Sequence, residues 1–231
     1  MKINLFFFIS QFNFGGAGNA IFNFLENLDN KKYNLHIIFL GHSDYEKILP
    51  KYVKSYRLNI KSNFSKTFFS FFLIKKILLQ KKLIYQKKIF ISNIHYSNVL
   101  SIIFLREIKN LKIVLFERTS LKELDIFHKL FPFLKNKLIK FLLRYTYPKA
   151  DKILVNSKTS QEEFKEINIK SQIVYSGSIK NLKKKKKIKR KNLFNIIAVG
   201  RLTYQKDYFT LLDAIEKLKK KKFYFTNLRR W

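Results

Sequence analysis

Short, uninterrupted apolar runs alternate along this chain with longer segments whose apolar residues recur every three or four positions. Ile3–Ile9 is the first run. Beyond the glycines Gly15, Gly16 and Gly18, residues Ala20, Ile21, Phe24, Leu25 and Leu28 share one helical face. Leu35–Leu40 reads as a second strand, Phe64–Gln86 as a long, basic, amphipathic helix, and Lys88–Ser92 as a strand. Asn98–Arg106 then reads as helix, Ile113–Phe116 as strand, Phe133–Tyr147 as helix and Lys152–Val155 as strand. In the next helix, Thr159–Ile167, Ser160 and Glu163 have capping-box spacing, and Ile173–Tyr175 is a last short strand. Strands that are continuously apolar rather than alternating are buried on both faces. The pattern therefore predicts an α/β fold with a parallel, doubly wound sheet of about six or seven strands over residues 1–178.

Between Lys180 and Lys191, nine of twelve residues are basic, the composition of a solvated linker. A new apolar run starts at Phe194. The expected organisation is an N-terminal domain 1–178, a basic linker 179–193 and the start of a second domain over 194–231. Within that last stretch, Ile196–Val199 runs into Gly200, Arg201 and Lys206 follow, and an amphipathic segment begins at once. That order predicts a buried strand, a turn and a helix with two cations at its N-terminus. Free backbone N–H groups and the positive end of the helix dipole favour an anion there. The planar fork of Arg201 and the point charge of Lys206 suit a diphosphate.

Composition adds one oddity and several exclusions. The formal net charge is +33, and only eight of the 48 basic residues are Arg. The excess of Lys, with abundant Phe, Ile and Asn, is what an AT-rich genome produces through its codons. The remaining charge favours polyanionic partners such as phosphates or an anionic membrane face. No Cys is present, which removes disulfides, thiolate nucleophiles and Cys-ligated metals. His36, His42, His95 and His128 lack ligand spacing, so no metal site is expected. The N-terminal apolar run is too short for a signal peptide. The longest apolar stretch, Phe68–Leu79, is cut by Lys75 and Lys76, short of a membrane span. A cytoplasmic chain is expected, or one peripheral on the inner face of the cell membrane.

The chemistry-bearing candidates sit where strands end. Gly15 and Gly16 follow the first strand, where backbone N–H groups can approach a phosphate closely. A dinucleotide fingerprint would need a glycine at position 21, which is Ile, and an acid after the second strand, which instead runs Leu40-Gly41-His42. A nicotinamide enzyme is disfavoured, and no cofactor is expected. His95 and the pair Glu117-Arg118 fall at the carboxyl ends of two further strands, the edge at which open α/β sheets bind ligands. Glu117 and Arg118 could equally pair with each other or cap the next helix.

Taken in order, these segments resemble family-4 glycosyltransferases. The resemblance rests on Gly15-Gly16-Ala17, the Ser92–Asn98 region, Glu117-Arg118, Tyr147-Pro148-Lys149-Ala150-Asp151 with Asn156-Ser157, Ile173-Val174-Tyr175, and Gly200-Arg201-Leu202 with Lys206. It departs at Gly18-Asn19, where the family usually has Glu-Arg, and at Tyr175-Ser176-Gly177, where it often has Tyr-Asn-Pro. The resemblance implies a GT-B-like fold: a complete N-terminal Rossmann-like domain on the acceptor side and the beginning of a second, donor-binding one. By resemblance, Gly15, Gly16, Arg201 and Lys206 would hold the diphosphate of a nucleotide-sugar donor. Glu117, Arg118 and His95 are the catalytic candidates. The implied reaction is retaining, metal-free transfer to a glycan or lipid-linked acceptor in cell-envelope polysaccharide synthesis. The family's Glu–x7–Glu element would fall beyond Trp231, so the chain as it stands is expected to be inactive.

The competing reading is a basic protein that binds nucleic acid or an anionic surface without catalysis. The charge and the run Lys183–Lys187 favour it. No helix-turn-helix, RNP-type or zinc-finger pattern accompanies them, and the aromatics fall in apolar runs rather than as stacking platforms. No nucleic-acid partner is expected. The anionic membrane face remains a partner, through Phe68, Phe71, Phe72 and Leu79 interleaved with lysines along the long helix.

Overall fold

The computed structural model describes residues 2–81, 83, 85–125, 130–175, 194–200, 206–218 and 223–228. The basic linker, His128 and Arg201 lie outside them. The chain divides into two compact units, residues 1–180 and 181–231.

The first unit is built on β1 (Ile3–Ile9), β2 (Tyr33–Phe39), β3 (Val53–Arg57), β4 (Lys88–Asn93), β5 (Leu111–Glu117), β6 (Lys152–Val155) and β7 (Gln172–Ile173). They form one seven-stranded sheet in the order β3-β2-β1-β4-β5-β6-β7. Every pairing in it is parallel. The order reverses between β1 and β4, the switch point at which such sheets open a crevice beyond their carboxyl ends.

β1 shows why the sheet is covered on both sides. Successive side chains point to opposite faces. Phe6 and Phe8 join a core with Phe71, Leu78, Phe90, Leu143 and Phe164, under α2 (Phe64–Leu78), α3 (His95–Leu105), α4 (Leu130–Thr146) and α5 (Lys158–Glu166). Leu5, Phe7 and Ile9 join a second core with Ile21, Leu25, Ile37 and Phe39, under α1 (Gly16–Asn27). With both faces covered, most positions on either are apolar, hence the long apolar runs; Asn4, His36 and Ser92 are buried polar exceptions.

Several elements depart from the sequence reading. β3 carries no apolar run because it is an edge strand with only Val53 buried. The long basic helix stops at Leu78 rather than Gln86. Beyond it Gln80 and Lys81 break the apolar spacing, and turns such as Leu83 N–H to Gln80 O lead the chain to β4. α3 begins at His95, three residues before Asn98. In α5 the cap is Ser157, which accepts from Ser160 N–H, and Glu163 takes no part in it.

The second unit contains β8 (Phe194–Val199), α6 (Tyr208–Lys217) and β9 (Phe223–Leu228), with β8 and β9 paired in parallel. None of the residues of α6 is buried.

Candidate functional site

Three strand ends place polar groups at the carboxyl edge of the large sheet. β5 ends on Glu117, which has no solvent exposure. A carboxylate this deep must be compensated by hydrogen bonds and opposite charge. One oxygen accepts from His95 Nδ1 at 2.8 Å, and the other from Tyr147 O–H and Asn98 Nδ2. His95 turns its Nε2 to Thr119 Oγ1 at 3.1 Å and to the Ser120 carbonyl at 3.4 Å.

Opposing influences act on that imidazole. Burial pushes its pKa down, whereas the charge and hydrogen bond of Glu117, the Ser120 carbonyl and the charge of Glu123 push it up; the net direction is upward. Protonated, the ring donates on both sides, to Glu117 and to the loop, and so joins β5 to the segment that follows it.

That segment, Arg118–Ser120, is tied down from four directions. Arg118 Nε donates to Asn93 Oδ1 at the end of β4 (3.0 Å), and its guanidinium lies 4.0 Å from the Phe116 ring centre. Asn156, just past β6, donates to the Arg118 carbonyl at 3.0 Å. Glu163 of α5 accepts from Ser120 Oγ at 2.6 Å and from Leu121 N–H at 2.7 Å. Burial lowers the Arg118 pKa to about 10, which leaves the guanidinium charged at neutral pH. Of the three catalytic candidates, His95 and Glu117 are buried and Arg118 alone is partly exposed.

Backbone strain falls between these residues. Ile94 joins β4 to α3 at φ 75°, ψ 141°. A β-branched residue at positive φ costs on the order of 1–3 kcal/mol and persists only where its surroundings impose it. Here Ile94 N–H is held by the Phe116 carbonyl at 3.2 Å, and the Ile94 carbonyl accepts from Asn98 N–H at 3.0 Å. The sharp turn brings His95 from the end of β4 over to Glu117.

On the other side of the switch point, α1 starts at Gly16 with no side chain capping it and no acid in its first turn. A methyl group added at Gly15 or Gly16 would meet nothing within 4 Å. At Gly18 it would lie 2.1 Å from the Asn13 carbonyl. The first two glycines thus leave an open approach to the helix amides, and the third is required by packing.

In the second unit, Lys206 is exposed at the start of α6 and passes beside Gly200, where an added methyl would lie 3.6 Å from its Cγ. The helix start is not vacant as the sequence suggested. Asp207, in left-handed backbone (φ 42°), accepts from Thr210 N–H at 3.3 Å and from Thr210 Oγ1 at 2.8 Å. An anion at this end of α6 would depend on cationic side chains more than on the amides. Arg201 lies outside the described residues, so the structure unites Glu117, His95 and Arg118, sets Gly15 and Gly16 in the same unit, and leaves Lys206 in the other.

Sequence reasoning passed over Asn93, Asn98, Tyr147, Asn156 and Glu163 as members of this network. Asn98, Tyr147 and Asn156 sat inside segments already noted. Glu163 was signalled only by being an acid in a helix whose serine cap lies elsewhere. Among the described residues no group of His, Asp and Glu could hold a metal ion.

The comparisons with known proteins fit this geometry. A structure described as trehalose-6-phosphate from E. coli bound with UDP-2-fluoro glucose superposes with a TM-score of 0.62 at 13% identity, covering 98% of this chain and 64% of its own. UDP-GlcNAc 2-epimerase from Methanocaldococcus jannaschii gives 0.50 at 14% identity, covering 98% and 65%. At such identities the likeness is one of fold, and the chain spans a little under two thirds of the length of either. No curated protein sequence matches it. Residues 14–177 match the model of Glycosyltransferase Family 4, and the parallel sheet described above is the Rossmann-like sheet of GT-B proteins; the chain belongs to glycosyltransferase family 4.

Proposed function

We propose that the protein moves a sugar from a nucleotide-sugar donor to a glycan or lipid-linked acceptor, with retention of configuration. The observation that carries this reading is the braced carboxyl edge of the large sheet. There an open glycine turn and a charged, immobilised Arg118 stand on opposite sides of the switch point. In the transfer, the bond from the sugar's anomeric carbon to the diphosphate oxygen breaks and the electron pair leaves with the diphosphate. An acceptor hydroxyl bonds to the anomeric carbon on the face the diphosphate leaves, and its proton passes to the departing diphosphate oxygen. Fixed cations and N–H groups aimed at the departing diphosphate lower the barrier, because they need no reorganisation as charge develops.

In this reading the amides beyond Gly15 and Gly16, with Arg201 and Lys206, hold the diphosphate. Arg118 faces the reacting groups. His95 and Glu117 are positioning residues, too buried to reach a substrate, and they keep the Arg118–Ser120 loop in place. Two proteins of similar fold support the donor class: one is bound with UDP-2-fluoro glucose, and the other is named for UDP-GlcNAc. Protection against thermal unfolding by UDP or a UDP-sugar tests it. Arg201→Ala should weaken UDP binding by about 1.5–3 kcal/mol, the scale of a hydrogen bond to a charged group. Equal affinity in both proteins removes the site. With no residue of α6 fully buried, turnover by the 231-residue chain alone is expected to be absent.

The acceptor's place at a membrane rests on α2 and α4. α2 buries Phe71, Ile74 and Leu78 and exposes Phe69 and Phe72 at 63% and 54%. α4 exposes Leu134 and Phe141 at 54% and 56%, and Lys135 of α4 reaches the Phe64 ring of α2. Lys66, Lys75, Lys76, Lys137 and Lys140 are interspersed. No helix among the described residues is long and apolar enough to cross a membrane. These faces suit an anionic membrane surface, where each lysine adds about 1 kcal/mol. Co-sedimentation with liposomes should rise with anionic lipid content, and indifference to it would refute this surface.

A further inference from the structure

Beside the glycine turn, the ends of β1, β2 and β3 enclose a cavity of about 560 Å³ that the transfer reaction as drawn above does not use. That is within the range of about 300–1,000 Å³ for small-molecule sites. Its lining is almost wholly polar: Gln11 and Asn13 from the loop after β1, His42 after β2, Arg57 at the end of β3, and Lys61 and Ser62 beyond it. Neither Asp nor Glu lines it, and neither does any Phe, Tyr or Trp.

The walls are fixed. The segment after β3 continues onto the end of β2, with Leu58 N–H to the Phe39 carbonyl at 3.0 Å and Ile60 N–H to the Leu40 carbonyl at 2.8 Å. Asn59 takes the left-handed conformation (φ 56°) that turns the chain there, a conformation asparagine tolerates. A methyl added at Gly41 would lie 3.3 Å from the Ile60 carbonyl, so the two wall segments are in close contact. Arg57 touches Glu46 through Nη1 at 3.4 Å, and both side chains are part-exposed. A contact of that kind contributes about 0–1 kcal/mol and yields readily to a better partner.

The lining tells what would fit. Amides and hydroxyls that donate and accept match the hydroxyl groups of a sugar. Two permanent cations, one of them held by the weak, part-exposed contact with Glu46, match a phosphate, and an arginine fork can take it bidentately. Arginine is scarce in this lysine-rich chain, so its presence here is not explained by bulk charge alone. An acyl chain would lack an apolar wall here. We propose that it binds a phosphorylated sugar, as the phosphate-bearing part of the acceptor. The assignment rests on the transferase reading only for the word acceptor; the binding stands by itself.

Titration of mannose 6-phosphate, mannose and inorganic phosphate into the ¹⁵N-labelled 231-residue chain tests it. Mannose 6-phosphate should shift the amide signals of Gln11, Asn59 and Lys61 saturably, and each of the other two should bind at least tenfold more weakly. Arg57→Gln with Lys61→Gln should weaken mannose 6-phosphate at least tenfold, while Lys109→Gln with Lys165→Gln, which removes equal charge elsewhere, should not. All four positions are exposed, and matching melting curves would verify the fold. Inorganic phosphate binding as tightly as mannose 6-phosphate overturns the sugar assignment, as does an equal loss in the control variant. Tighter binding of dihexanoyl phosphatidate, lost in the same variant, overturns it in favour of a lipid headgroup. UDP protection without mannose 6-phosphate binding overturns this proposal and leaves the donor reading standing. Mannose 6-phosphate binding without UDP protection supports the site and counts against the donor reading.

Discussion

β1 with α1, and β8 with α6, are two versions of one sequence arrangement: an apolar strand, a glycine-bearing turn and an amphipathic helix. Their surroundings differ. β1 lies between β2 and β4, and all of its residues but Ile3 are buried. Among the described residues β8 pairs with β9 alone, and its Ile197 and Val199 are 60% and 65% exposed. α1 buries Gly18, Ala20, Ile21 and Leu25, whereas α6 only part-buries Tyr208, Leu211 and Ile215. Even the helix starts diverge, one left open by glycine and the other filled by Asp207. Local pattern selects the element, but neighbouring strands and helices supply the burial that stabilises it.

The largest effect expected from this contrast is on stability. Phe8→Ala removes a fully buried ring packed on Phe71 and Phe90 and should cost about 3–5 kcal/mol in urea unfolding. Ile197→Ala, at a similarly apolar strand position in the second unit, should stay within about 0.5 kcal/mol. A comparable loss at both positions would break the comparison.

Next comes Glu117→Gln, which leaves His95 beside a neutral partner and should destabilise the first unit by about 3 kcal/mol. It also carries a signature in pH. The folded pKa of His95 is raised above its ordinary value of about 6.5. The stability it contributes is therefore complete below pH ~6.5 and is lost as pH climbs through the raised value, with a slope of at most about 1.4 kcal/mol per pH unit. Glu117→Gln should flatten that slope. An unchanged profile would mean that His95 does not titrate against Glu117.

The smallest effect sharpens the comparison at the turn. Gly18→Ala forces a methyl against the Asn13 carbonyl and should cost about 1–3 kcal/mol. Gly15→Ala and Gly16→Ala enter open space and should change stability by no more than about 0.5 kcal/mol. Thermal or urea unfolding of the three variants separates these outcomes, and a destabilised Gly16→Ala would show that the approach to α1 is not open.

Much of this fold could be read from the sequence because burial on both faces writes itself as continuous apolar runs. β1, β2, β4, β5 and β6 are such runs, and their order gave the doubly wound topology. β3 could not be read that way, since an edge strand with one buried residue looks like a loop. The end of α2 was obscured because Leu83 and Ile84 restore apolar residues soon after the polar break at Gln80 and Lys81. The site was legible by location and not by role. A buried carboxylate and an exposed catalytic one are the same letter, and only the ring of His95, Asn98 and Tyr147 distinguishes Glu117 as the former. Glu163 bonds to a loop 43 residues earlier, a distance at which no local spacing rule operates.

The place of β1 in the sheet also has a bearing on how the chain is made. Asn4 pairs with Asn34 on one side and with Lys88 on the other. At about 5–20 residues per second, β4 leaves the ribosome on the order of 4–17 s after β1. Throughout that interval one edge of a phenylalanine-rich strand has no partner within its own chain. Non-local parallel pairing is slow to form once both strands exist, which lengthens the wait. Phe6, Phe7 and Phe8, all buried in the finished core, are thus the residues most open to a second nascent chain, and solubility during synthesis depends on how soon β4 arrives.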